Sequence, residues 1–195
     1  MASPTLNDLP DPPPGKTGWP WTEGTESLSE IGTDDEPWPK ISVVTPSYNQ
    51  GEFIEETIRS VLLQGYPALE YFVVDGGSTD GTVLTLEKYD PWIDDWVSEP
   101  DRGQSHAINK GLQKTSGDVL TWLNSDDYLA PEALRNMAEA LRHAQSSVGA
   151  IVGIGHKVNR QGEIVYTPDT PELSHEAFLD WMGRGNFMQP ACFFR

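Results

Sequence analysis

Asp126 and Asp127, in the run Asn124-Ser125-Asp126-Asp127, are two adjacent carboxylates in a chain that already carries a net charge of -17. Holding them close together is costly unless a cation lies between them. A hard divalent ion, Mg2+ or Mn2+, bound by one or two carboxylate oxygens and by substrate phosphates, suits that composition without Cys or His. The same four residues are also an ordinary polar turn ahead of a helix. Asp75, at the tip of the apolar run YFVVD, is placed to accept from the N–H of a base or from a ribose hydroxyl. The glycine-rich GGSTDGT that follows has a plainer explanation, with glycines permitting positive φ and Asp80 capping the next helix. Tyr48, in TPSYNQG, is either a core aromatic at a strand end or a flat face for a nucleobase, with Pro46 stiffening its loop.

Other chemistries find little support. His106, His143, His156 and His175 are scattered and none pairs at metal-ligand spacing. Ser47, Ser78 and Ser105 have no nearby histidine, and the sequence contains neither a G-x-S-x-G elbow nor a G-x-x-x-x-G-K-[ST] phosphate loop.

The elements that must position these residues follow from the apolar pattern. ISVVT at 41–45 is a β-branched run of the kind buried on both faces of a parallel sheet. Phe53, Ile54, Ile58, Val61 and Leu62 recur at helical spacing, which predicts an amphipathic helix over 51–64. Strands are expected at 71–75, 94–99 and 118–124, and helices at about 81–89 and 104–115. A further helix is expected from a first-turn Pro131 to about His143. Later come strands at 148–155 and 163–168, a helix at 174–181, and a last strand in QPACFFR. This alternation predicts an α/β fold, an open and mostly parallel sheet with helices on both faces. In such sheets ligands bind beyond the carboxyl ends of the strands. The clusters Thr45–Asn49, Asp75–Asp80, Glu99–Gln104 and Asn124–Asp127 each follow a strand, so they should converge on one edge.

Composition bounds the rest. Thirteen Lys and Arg against 30 Asp and Glu create a field that repels nucleic acids and anionic membranes. An anionic ligand must therefore be held by backbone amides, a metal or a few local cations. No apolar run reaches the length of a membrane span, and the first residues lack the pattern of a secretory signal, so a cytoplasmic protein is expected. Cys192, the single cysteine, excludes an internal disulfide. Residues 1–39 read as an acidic, Pro-rich and disordered arm: the first 40 residues hold eight of the 16 prolines and show no apolar periodicity. Trp19, Trp21 and Trp38 are then expected to tack it onto the domain surface, and its deletion should leave the fold intact. The domain spans 40–195. Ending on Phe193, Phe194 and Arg195, it reads as C-terminally incomplete, with an unpaired sheet edge near Gln189–Arg195 that would favour self-association.

ISVVTPSYNQGEFIEETIRSVLLQGYP, YFVVDGGSTDGT and SEPDRGQSHAINKGLQKTSGDVLTWLNSDDYLAP together closely resemble the catalytic core of family 2 glycosyltransferases with the GT-A fold. The resemblance covers about residues 40–195 and is most specific over 41–132. It implies a Rossmann-like sheet and inverting, metal-assisted transfer from a nucleotide-diphospho-sugar to a hydroxyl of a glycan, lipid-linked or other acceptor. It further implies that Pro46 and Tyr48 flank the base, that Asp75 binds base or ribose, and that Asp101 and Gln104 line the donor pocket. Asp126 would be the principal ligand of Mn2+ or Mg2+, with Asp127 a helper or a helix cap. Two departures stand out: Gly76 replaces a second acid common in relatives, and the D-x-D motif reads Asn124-Ser125-Asp126. The family's catalytic base is expected beyond Arg195, and Asp180 is not assigned that role. A noncatalytic nucleotide-sugar-binding module is the alternative reading. A nucleotidyltransferase is disfavoured because TPSYNQG holds no basic residue.

Overall fold

The computed structural model describes residues 3–32, 35–169, 176 and 187–195. Its centre is a six-stranded sheet built from β1 (Ile41–Ser47), β2 (Leu69–Asp75), β3 (Asp95–Ser98), β4 (Val119–Trp122), β5 (Ala150–Val152) and, last in the chain, Cys192–Phe194. Two short strands, β6 (Lys157–Val158) and β7 (Ile164–Tyr166), form a separate antiparallel pair, so the last strand is β8. The sheet order is β3-β2-β1-β4-β8-β5, with β1 to β4 mutually parallel and β8 antiparallel to both β4 and β5.

Helices α1 (Ile54–Leu62), α2 (Thr82–Tyr89), α3 (Gln104–Leu112) and α4 (Ala133–His143) complete the layers. Strand alternation explains their distribution. Ile41, Val43, Tyr71 and Val73 share one face, and their core also contains Ile54, Ile58 and Leu62 of α1, Leu86 of α2, and Leu134 and Leu141 of α4. Val44 points the other way, onto α3. Gly111 is what permits that approach, because a Cβ there would lie 2.3 Å from Val44 Cγ1. The expected α/β sheet with helices on both faces is therefore present.

The structure corrects several expectations. Pro131 lies ahead of α4 rather than in its first turn, and Glu132 at the N-cap adopts a left-handed conformation. The edge expected near Gln189–Arg195 is interior: β8 hydrogen-bonds on both sides, Phe193 is buried, and Arg195 Nη2 donates to the Leu141 carbonyl at 2.7 Å. A strand can enter the middle of a sheet late in the chain by running antiparallel between two earlier neighbours. The helix expected over 174–181, with Asp180, lies outside the described residues; Glu176 is exposed.

The larger correction concerns the arm. Its Leu9, Trp21 and Trp38 are buried, and Leu9 and Trp38 belong to the main core. The physical anchor is Arg59 on α1, which is only 1% exposed. Its Nε donates to the Pro20 carbonyl, Nη1 to the Pro10 carbonyl and Nη2 to the Trp21 carbonyl, at 3.0, 2.8 and 2.9 Å. A loop without regular structure leaves carbonyls unpaired, and a buried guanidinium with five donors satisfies several at once. Trp19 and Trp38 donate their indole N–H groups to the Leu129 and Ser29 carbonyls.

Candidate functional site

The four loops expected to converge do so. Residues from the ends of β1, β2, β3 and β4 surround an open cleft of about 650 Å³, lined by Pro46, Ser47, Tyr48, Gln50, Gly76, Pro100, Asp101, Gly103, Gln104, Ala107, Asn124, Ser125 and Asp126. That volume lies within the range of small-molecule sites. No Lys or Arg is among these residues.

Hydrogen bonds between the loops fix the cleft. Gly76 N donates to the Ser47 carbonyl at 2.8 Å, Asn49 N to Ser78 Oγ at 2.7 Å, and Thr79 N to Asn49 Oδ1 at 2.9 Å. Gly81, not Asp80, is the N-cap of α2; Asp80, one residue earlier, accepts from Thr82 N, and its Oδ2 accepts from Gly51 N at 2.9 Å, tying the first loop to the second. Gln104 Nε2 donates to Asn124 Oδ1 at 2.7 Å, joining the third loop to the fourth.

Tyr48 is 63% exposed at the cleft wall, which settles its placement against a core role. Gly76 lies beneath it, and a Cβ there would come within 3.3 Å of the Tyr48 ring and 3.1 Å of Asp101 Oδ2. The glycine at the position of the second acid therefore leaves room for Tyr48 and Asp101 to approach each other. Asp101 is partly exposed, and its Oδ1 accepts from Gly103 N at 2.7 Å. Gly103 has φ of 102°, a conformation that favours glycine, and from it α3 begins in the cleft wall. The first N–H groups of a helix have no partner within it, and they form a natural anion site.

Asp75 has no exposed surface, and its carboxylate accepts from Gly77 N, Ser78 N, Ser78 Oγ and Ser98 Oγ. These bonds place it behind the cleft wall and shape the turn that carries Gly76. Its position at a strand tip was legible in the sequence; its four donors, one of them on β3, were not.

Asp126 and Asp127 also part company. Asp126 is exposed and borders the cleft, whereas Asp127 is turned away into a second cleft of about 380 Å³ that Asp126 also borders. Burial pushes the Asp127 carboxyl up, opposed by a hydrogen bond from Asn124 Nδ2 at 3.0 Å and reinforced by the nearby Asp126 charge. Among the described residues no three His, Cys, Asp or Glu side chains come together as a metal cage. One exposed carboxylate fits a hard cation that completes its shell with phosphate oxygens and water, and does not fit a cation needing an all-protein cage.

Ser47 and Pro100 belong to the strand-end clusters, whereas sequence reasoning missed Gln50 and Ala107 in the wall, whose signal was adjacency to those clusters. Ser47 Oγ is, among the described residues, the buried side-chain polar atom without a hydrogen-bond partner.

Comparison with known proteins bears on what such a cleft belongs to. The model for glycosyl transferase family 2 matches residues 42–188, most of the chain. The chain belongs to that family, and its sheet is the α/β, Rossmann-like GT-A fold. An "uncharacterized glycosyltransferase" of Mycobacterium tuberculosis is 37% identical over 60% of this chain and 45% of its own length. The poly(ribitol-phosphate) β-N-acetylglucosaminyltransferase TarS of Staphylococcus aureus is 31% identical over 69% of this chain and 24% of its own. Among solved structures, a mannosyltransferase of Pyrobaculum calidifontis in complex with GDP-Man and Mn2+ superposes with a TM-score of 0.53 at 31% identity, covering 59% of this chain and 38% of that one. The chain thus spans less than half the length of these relatives.

Proposed function

We propose that the four-loop cleft binds the nucleoside diphosphate of a nucleotide-sugar and that the protein transfers the sugar, with inversion, to an acceptor hydroxyl. The observation that carries this reading is the cleft itself, with an exposed aromatic face at Tyr48, an exposed carboxylate at Asp126, the start of α3 between the third and fourth loops, and no basic side chain among the described residues that line it. The similar mannosyltransferase, solved with GDP-Man and Mn2+, supports both the ligand class and the cation.

In this reading the base stacks on Tyr48, beside Pro46 and above Gly76. Asp101 and Gln104 line the ribose and phosphate region, and Asp75 acts through the turn it holds. The amides at the start of α3 accept part of the diphosphate charge. Asp126 would hold Mn2+ or Mg2+, with Asp127 at most a second ligand; when bound, the ion neutralises charge growing on the leaving diphosphate. An acceptor oxygen forms its bond to the anomeric carbon as the bond from that carbon to the diphosphate oxygen breaks, and the hydroxyl proton passes to a base. A glycan or lipid-linked hydroxyl acceptor and a cytoplasmic setting belong to the same proposal.

The test is a transfer assay with UDP- and GDP-sugars and a panel of glycoside acceptors, with product anomers read by proton NMR. A product of inverted anomeric configuration supports the reading, and a retained configuration contradicts the single-displacement mechanism. Nucleotide-sugar binding without transfer to any acceptor would favour a noncatalytic binding module.

A further inference from the structure

The second cleft begins where the first ends, at Asp126. Its wall combines parts distant in sequence: Lys16 from the arm, Glu52, Phe53 and Glu56 around the start of α1, Tyr128 after the acidic pair, and Arg160 at the turn between β6 and β7. The two cations are already engaged, Lys16 Nζ with Glu56 Oε2 at 3.8 Å and Arg160 Nη1 with Glu52 Oε1 at 3.5 Å. Asp126 and Asp127 add two carboxylates that neither cation balances. An anionic ligand would therefore meet net negative charge here. Hydroxyl groups, in contrast, donate to carboxylates and accept from ammonium and guanidinium groups, and the C–H faces of a sugar ring pack on aromatic rings such as Phe53 and Tyr128.

We propose that this second cleft seats the acceptor, a neutral, hydroxyl-rich sugar unit, and that the N-terminal arm completes it through Lys16. The proposal rests on the reading of the first cleft as the donor site. The shared Asp126 wall sets the acceptor cleft beside the donor cleft, and inversion then requires the acceptor oxygen to reach the face of the anomeric carbon opposite the diphosphate. Packing within the arm positions Lys16, whose ammonium lies 5.0 Å from the centre of the Trp21 ring, and Trp21 is fixed in turn by Arg59. The arm is thereby a specificity element as well as a packing one.

The experiment follows backbone amide shifts of the full chain by NMR in two titrations. A mixture of methyl β-glucoside, methyl β-galactoside and methyl α-mannoside should move the amides of Phe53, Tyr128 and Gly162 saturably, and glucose 6-phosphate should bind there more weakly. Mg2+ with UDP or GDP should move those of Tyr48 and Gly103. Lys16→Ala, at a half-exposed side chain, should weaken the glycoside response about threefold to tenfold, the share of one solvent-exposed hydrogen bond, and leave the nucleotide response unchanged. Tighter binding of the phosphorylated sugar, an absent glycoside response, or a glycoside response untouched by Lys16→Ala would overturn the proposal. A missing nucleotide response would overturn the donor reading instead, so the two failures are distinguishable.

Discussion

The guanidinium of Arg59 lies 5.6 Å from the centre of the Trp21 ring while its Nη2 donates to the carbonyl of that same residue at 2.9 Å. A charged helix residue is thus buried by a segment of turns and bends that forms no regular helix or strand among its described residues. Nη1 also donates to Tyr89 Oη, which donates in turn to Glu55 Oε1, so the positive charge is linked to a carboxylate through a phenol. Removing the guanidinium would leave the carbonyls of Pro10, Pro20 and Trp21 buried without donors. Arg59→Met is expected to cost about 3 kcal/mol, lowering Tm by roughly 10 °C. Deletion of residues 1–36 should lower it by at least as much. Thermal unfolding within a few degrees of the parent for both variants would show that the arm contributes little.

Tyr48 offers the opposite case, a large aromatic that packing does not require. Because it is 63% exposed, Tyr48→Ala should leave Tm within about 1 kcal/mol equivalent of the parent. Nucleotide affinity should fall about 5-fold to 100-fold, the measured worth of an aromatic platform for one base. Fluorescence titration with a labelled nucleoside diphosphate checks this; unchanged affinity would remove Tyr48 from the site.

Acid stability should depend on Glu70, at the end of the sheet away from the cleft. Burial pushes its carboxyl up, but Lys40 Nζ at 2.7 Å, Ser42 Oγ, and the N–H and hydroxyl of Ser116 outweigh that and hold it down to about 2. A folded-state value below the unfolded one stabilises fully above the unfolded value, near 4.5, and the contribution disappears as the pH falls through about 2. With solvent reaching Lys40, the stabilisation at neutral pH is about 1 to 2 kcal/mol. Urea unfolding across the acid range should show Glu70→Gln less stable at neutral pH and less pH-dependent below it. Parallel curves for the two proteins would contradict the assignment.

Much of this architecture is legible in local pattern. ISVVT and YFVVD are fully buried runs and became β1 and β2; the spacing of Ile54, Ile58, Val61 and Leu62 became one buried side of α1. The polar residues after those strands mark the cleft for the same reason, since a parallel sheet places successive strand ends on one edge. What local pattern could not show is long-range. Arg59 reads as a solvent-facing helix residue until the arm is seen lying over it. The two-residue β6 is too short for any periodic signal, and the antiparallel entry of β8 between β4 and β5 depends on a partner chosen across the fold. The strand-tip position of Asp75 is visible in the sequence, whereas its donors on Gly77, Ser78 and Ser98 are not.

The donor site is the central claim, and calorimetric titration of UDP and of GDP into the chain, with Mn2+ and with chelator, tests it most directly. No Lys or Arg is among the described residues that line the cleft, so binding should be strong with the ion and weak without it, and Asp126→Ala should abolish the difference. Asp127→Asn, at a side chain turned toward the second cleft, should retain most of the metal dependence. Equal binding of either nucleotide in Mn2+ and in chelator, or a metal dependence that survives Asp126→Ala, would contradict the account.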